Sequence, residues 1–515
     1  DTGIAALSRS GATVTRPIAL NCEKRSMKKS SIIKYFSGTL LALIFFSALP
    51  LTLFGSVFWT PPRYDETYYG ELSHMVDRLK ETEGKKIVFV GNSAMAFGIR
   101  PDLIDAEIPE YKSVVFGLYG AIGTKAMLNL SKAGIGEGDI VVFAPEQYAP
   151  SLSLEFSAGE MWFAADSDHS LIGYLPSEDK EAMAKAFFDF AQSKFAYTAS
   201  DGKPQVDGVY MQASFDDEAG NEVGYMTYER PYNTMPFGYD ANALISYDTH
   251  IFGEGFVDYV NEYAAYVRSV GAEIYYGFAP ANRLALADGT ADEEIDAFYE
   301  YLLDNLDMEI LGHPADYVMD YEWFYDSNLH MNSAGMYVYT RQIVEALKAQ
   351  LSIDTETKID IPEKPEIPAD DAEEGDNADA ACFTYELVQD EAQGTEVAIV
   401  TGLTAQGRER AQLTLPSVYE GRQVTMFEAD VFQNDTQLSR VVIPRTIRMI
   451  YDGSFSGCTR LQEIKLLHDV PCGVGTDLFA GTDGFRILVP ASALEVFSTH
   501  YNWGAYKDFL TGYGG

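Results

Sequence analysis

Between Lys34 and Arg63 the chain carries no charged side chain. The run reads YFSGTLLALIFFSALPLTLFGSVFWTPP, and roughly 20 consecutive apolar residues suffice for a helix to cross the core of a bilayer. Trp59 falls near its far end, where interfacial aromatic side chains settle. Residues 1–34 hold seven basic residues and two acidic ones, a bias that keeps the preceding segment on the cytoplasmic side. The expectation is a cytoplasmic tail at 1–34, a single-pass transmembrane anchor at 35–60, and an extracytoplasmic remainder. A cleaved signal peptide is the competing reading, although its apolar core would be unusually long and no A-x-A site follows. A buried soluble helix is the third. Met27 followed by KKSSIIK resembles a natural start for such a segment, which makes 1–26 an upstream extension without a fold.

The rest of the chain is strongly acidic. The net charge over 515 residues is -40, and because the first 34 carry +5, the remainder carries -45. Such a field repels phosphate backbones, so nucleic acid is excluded as a partner. An apolar content of 47%, with 13% aromatic, excludes a wholly disordered chain. The four cysteines form no C-x-x-C pair, which argues against a disulfide-dense scaffold and a structural zinc site. Cys382, Cys458 and Cys472 read as small buried apolar residues.

Residues 61–351 read as one α/β domain. Apolar runs at 85–93, 138–147 and 271–282, with a weaker one at 113–120, alternate with helical patterns at 121–133, 180–195, 252–270, 292–305 and 333–350. Strands apolar throughout and separated by helices predict a parallel sheet in a three-layer arrangement, with reactive groups at the carboxyl ends of the strands. The segment from 151 to 250 lacks a strand rhythm and is rich in Tyr, Phe and Asp. It reads as an insertion forming a lid or wall, its aromatics either stacking sugars or packing a core.

Two polar features stand at loop positions. Ser93 follows an apolar strand in GNSAMAFG, where a hydroxyl projects over the sheet edge near N–H groups that can hold an oxyanion. A helix N-cap is the other role open to it. DSNLHMNSAG at 326–335 sets Asp326 four residues before His330, so that a carboxylate can orient a general base within one loop. An ordinary surface histidine is the alternative.

Taken together, these blocks resemble the SGNH (GDSL-type) hydrolase family. Gly91-Asn92-Ser93 is similar to its G-D-S block. Gly120, with Gly117 second, stands where the family has its oxyanion glycine. DSNLH resembles the D-x-x-H block with one residue added. The third block, G-x-N-D, is replaced by Ala144-Pro145-Glu146-Gln147. Gln147 can take over the missing oxyanion donor, whereas an ionised Glu146 cannot. The resemblance implies Ser93 as nucleophile, His330 as base, Asp326 as its orienter, Gly120 and Gln147 at the oxyanion, and no metal or other cofactor. The altered third block and N-terminal anchor are similar to the membrane-anchored branch of the family, which includes D-alanylation and alginate acetylation proteins. This implies an esterase or O-acyltransferase whose partner is an envelope polysaccharide or acylated polymer.

Residues 352–381 are rich in Pro and acid and read as an extended linker. Beyond it, at 382–515, Phe432, Phe455 and Phe479 recur at intervals of 23 and 24 residues, and Leu438 and Leu461 at 23. A period in the twenties marks a leucine-rich-repeat solenoid. Phe455, Cys458, Leu461 and Ile464 resemble the BspA-like repeat pattern, which implies a protein or glycan ligand. The reading from another functional class is a surface binding or adhesion protein whose SGNH-like domain is inactive.

Overall fold

The computed structural model describes residues 29–513 apart from 119, 201, 205, 207, 218, 236, 237, 241, 242, 288, 289, 367–378, 391–394, 476, 477 and 501. The proposed extension at 1–26 therefore lies outside the described residues.

Five strands build the central sheet: β1 (Lys86–Gly91), β2 (Lys112–Gly117), β3 (Ile140–Ala144), β4 (Glu273–Tyr276) and β5 (Glu309–Ile310). All pair in parallel, in the order β2-β1-β3-β4-β5. Every residue of β1 and β3 is buried, the cause of the apolar runs at 87–90 and 140–144, and Lys86 at the start of β1 is paired with Asp139. The four sequence runs all contain strands. β5, only two residues long, is too short for a pattern to announce. In this strand order the chain leaves β1 in opposite directions toward β2 and β3, and the crevice at that reversal is where open α/β sheets bind ligands.

The uncharged run, as far as Phe58, lies within a 30-residue helix, α1 (Lys29–Phe58). Its side chains are described only in part, and among the described residues no helix is long and apolar enough to cross a membrane. Phe36, Phe46 and Trp59 are each about three-quarters exposed. The other end of α1 is fastened to the domain. Val57 is buried, and its carbonyl accepts a 3.1 Å hydrogen bond from Lys194 of α2 (Ser177–Ser200). Phe58 stacks on Phe187 of the same helix at 6.1 Å. Lys194 also pairs with Asp166 at 2.6 Å, both side chains being buried.

The second domain is a stack of short coils. Strands β6 (Gln412–Thr414), β7 (Arg440–Ile443), β8 (Glu463–Leu466), β9 (Arg486–Pro490) and β10 (Leu510–Tyr513) form one parallel ladder. Arg440 pairs with Glu463, and Glu463 with Arg486, so the 23-residue sequence period is the rise of one coil. A second, mainly parallel sheet contains Thr395–Leu403, Arg422–Phe427 and Met449–Ile450. Inside, Phe432 stacks on Phe455 at 5.5 Å and Phe455 on Phe479 at 5.8 Å. Cys382, Cys458 and Cys472 are buried and form no disulfide among the described residues, and the Cys458 thiol donates to the Phe432 carbonyl at 2.9 Å.

The linker is only partly a spacer. Its first half lies along the α/β domain: Lys358 N–H donates to Glu107 at 2.8 Å, Arg341 donates to the Ile359 carbonyl at 3.2 Å, and Ile359 is buried. Residues 367–378 are outside the described set.

Candidate active site

Ser93 begins a six-residue helix, Ser93–Gly98, directly after β1. Asn92, not Ser93, occupies the N-cap position, and the Ser93 hydroxyl makes no capping bond there. The sharp turn needs bare backbone beneath it. A Cβ on Gly117 would stand 2.6 Å from the Asn92 carbonyl oxygen, and one on Gly91 2.5 Å from that of Ala144. Gly117 thus makes room under the turn and does not line the cavity that Ser93 faces.

His330 arrives from the loop before Gly335–Gln350, some 240 positions along the chain. Asn332 clamps that loop by donating to the carbonyls of Glu322 and Phe324 at 2.7 and 3.0 Å. Buried Arg230 braces it through the Met331 carbonyl at 3.2 Å and through Ser333, whose hydroxyl accepts from Arg230 N–H at 2.9 Å. The ring of His330 lies flat on Phe97, 3.9 Å between centroids and 10° between planes. Phe97 is four residues after Ser93, so both project from one helix face. His330 spans that face, with Nε2 2.8 Å from Ser93 Oγ and Nδ1 2.9 Å from Asp326 Oδ1. The second oxygen of Asp326 accepts from the Tyr210 hydroxyl at 2.6 Å. Burial works against the Asp326 charge but is outweighed by the His330 hydrogen bond and charge, the Tyr210 bond and the Arg448 charge, which together hold the carboxyl below its usual range. The Tyr210 phenol is pushed well up, by burial first and the Asp326 charge second, and remains a hydrogen donor.

The altered third block comes to the same place. Successive side chains of an extended strand point to opposite sides, and at the end of β3 it is Glu146 that points inward. Its Oε1 accepts from Ala94 N–H at 2.9 Å and lies 3.0 Å from Ser93 Oγ; its Oε2 accepts from Ser151 at 2.9 Å. The Gln147 amide turns away and donates to the Ser246 carbonyl at 2.9 Å. It does not line the cavity, so the role expected of Gln147 at the oxyanion is corrected by the geometry. Gly120 does line the cavity, and a Cβ there would lie 3.7 Å from Glu146 Oε2.

Ser93 has one hydroxyl hydrogen and two acceptors for it, His330 Nε2 and Glu146 Oε1. The first contact is the geometry of a nucleophile with its base. The second withdraws the hydrogen from that base and occupies the N–H of the residue after the nucleophile.

A cavity of about 460 Å³ opens over Ser93 and His330. The 151–250 segment supplies one wall through Ser151, Glu155, Phe156, Glu160 and Asp240. Glu146, Glu155, Glu160 and Asp240 all line the space, and no Lys or Arg does among the described residues. Burial, then the charges of Asp240, Glu146 and Glu155, raises the Tyr148 phenol at the rim. One further cluster, Glu71, His74 and Glu222, converges within metal-binding distance. Arg78 pairs with both of its carboxylates, so a cation already stands there.

Sequence reasoning missed Tyr210 and Phe97. Only Phe97 left a signal, its i+4 spacing from Ser93.

No protein-family model and no curated protein matches the chain. A crystal structure of a leucine-rich repeat protein from T. pallidum is similar at 26% identity, covering 23% of this chain and 45% of that one, with a TM-score of 0.15.

Proposed function

We propose that the protein is a serine acyl hydrolase or O-acyltransferase of SGNH type. The observation that carries this reading is the unbroken row Ser93 Oγ, His330 Nε2, His330 Nδ1 and Asp326 Oδ1, at 2.8 and 2.9 Å. His330 takes the hydroxyl proton as Ser93 attacks an ester carbonyl. The Oγ–C bond forms, the ester C–O bond breaks, and the leaving alcohol departs with the proton held by His330. Water or an acceptor hydroxyl then attacks the acyl-enzyme, with His330 again as base. The acidic cavity favours neutral or cationic esters over anionic ones.

The substrate class in this reading is an acylated polymer or polysaccharide of the cell envelope, reached from outside a membrane that holds α1 in single-pass orientation. The exposed apolar side chains of α1 support the anchored location, and the stacked coils of the second domain supply a surface for a protein or glycan ligand. A fluorophosphonate probe tests the chemistry: it labels the wild type and leaves Ser93→Ala unlabelled. Absence of labelling in a folded wild type rejects the hydrolase reading.

One observation favours a second reading, a surface binding protein with an inactive domain. Glu146 sits against both the nucleophile and the Ala94 N–H. Labelling restored in Glu146→Gln but absent in the wild type would establish it.

A further inference from the structure

A second cavity, of about 60 Å³, is lined by Asp326 and, among the described residues, by neither Ser93 nor His330. Its walls come from both domains: Tyr210, Tyr325 and Asp326 from one, and Arg445, Arg448 and Asp469 from the other. The carboxylate that orients His330 therefore faces the repeat domain.

The two domains touch around this point. The Tyr228 hydroxyl donates to the Pro471 carbonyl at 3.3 Å, and the Arg445 guanidinium lies 5.9 Å from the centre of the Tyr232 ring. Arg448 is held by the stack itself. Its N–H donates to the Thr425 carbonyl at 2.8 Å, and its own carbonyl accepts from Gly473 N–H at 2.7 Å, so its backbone is locked between neighbouring coils.

Charged and titratable groups from both domains surround Asp326. His330 and Tyr325 share its loop, and Tyr210, Tyr68 and buried Arg230 face it from the rest of the α/β domain. From the repeat domain, His468 is held down to about 4, by burial first, and is neutral at neutral pH. Asp469 pairs with Arg445 at 3.2 Å. Arg448 lines the small cavity together with Asp326 and Tyr210, and its charge acts on both. An orienting carboxylate has to keep its charge while shut away from water, and a nearby cation opposes the cost of that burial.

We propose that Arg448 is a positioning residue for the serine site, supplied by the repeat domain, and that displacement of the repeat domain lowers the reactivity of Ser93. This rests on the serine-hydrolase reading.

The experiment is the rate of fluorophosphonate labelling as a function of pH, on the full chain. Arg448→Met is expected to move the rising limb upward by about one pH unit, the size a single nearby charge produces, so that labelling on the acid side of the limb falls about tenfold while the plateau changes little. Arg448→Lys restores most of both. Arg445→Met, which removes the Asp469 pair and the Tyr232 contact, leaves the limb where the wild type has it. A pH curve unchanged in Arg448→Met overturns the inference while the hydrolase reading stands. A Lys variant no better than Met also overturns it, since the charge would then not be what matters. A wild type that does not label overturns the hydrolase reading and this inference with it.

Discussion

The α/β domain and the repeat domain handle charge in opposite ways. In the first, ion pairs are buried at long range: Lys194 with Asp166, Lys125 with Asp179, and Lys86 with Asp139. In the second, the interior is a ladder of stacked phenylalanines, and charges alternate along an outer edge, where Glu463 joins Arg440 on one coil to Arg486 on another. A sheet domain whose loops converge from distant parts of the chain can hold charges in a dry interior, because many elements contribute partners. A stack in which each coil meets only its neighbours has few partners to offer, and fills itself with apolar rings.

The largest expected effect breaks the buried network. Asp166→Ala leaves Lys194 enclosed without its carboxylate and frees the Arg63 N–H that the same side chain accepts at 2.7 Å. It should cost about 3–5 kcal/mol in denaturant unfolding of the α/β domain. Next is Phe455→Ala, which removes the middle ring of three. A loss of about 3–4 kcal/mol is expected, confined to the transition of the repeat domain; an equal loss in both transitions would show that the domains unfold as one.

Acid provides a third test. Burial holds His468 and His500 down to about 4, against an ordinary 6.5. Above pH 6.5 both are neutral whether the chain is folded or not. As pH falls from 6.5 toward 4, the unfolded chain takes up protons that the folded one refuses, and stability is lost. Asp469, raised to about 6 by burial, works in the opposite direction over much of that window. Two groups against one leave a net loss of about 3 kcal/mol, readable from thermal midpoints of the repeat domain between neutral pH and pH 4.

Glu146→Gln sharpens the comparison at the cavity. It removes the carboxylate that competes for the Ser93 hydrogen and offers an amide donor in its place, so labelling should rise about tenfold. A fall would show that the carboxylate assists the serine. The smallest effect belongs to the outer edge: Arg486→Ala, with an exposed side chain, should change stability by less than about 1 kcal/mol and lose even that in high salt.

The legibility of the sequence follows the same division. The strands β1 to β4 were readable because burial on both faces demands apolar residues through their centres, and the coils because Phe432, Phe455 and Phe479 repeat. Ser93, Asp326 and His330 were readable as short blocks in order. Gln147 against Glu146 was not, because the choice depends on the phase in which β3 ends, and one residue of phase exchanges the two faces. Tyr210 and Arg448 were invisible for a different reason. They reach Asp326 from more than a hundred positions away on either side, and no local spacing encodes such an approach. The docking of the linker's first half was not legible, because Pro and acidic residues lack a core signal, yet buried Ile359 and the hydrogen bonds to Glu107 and from Arg341 hold it to the domain.

The junction at Val57 has a bearing on orientation. A backbone carbonyl gripped by a buried lysine, beside Phe58 stacked on Phe187, sets the last turn of α1 into the α/β domain as a blade is set in its handle. That joint is where the exposed flank of α1 meets the domain that carries Ser93.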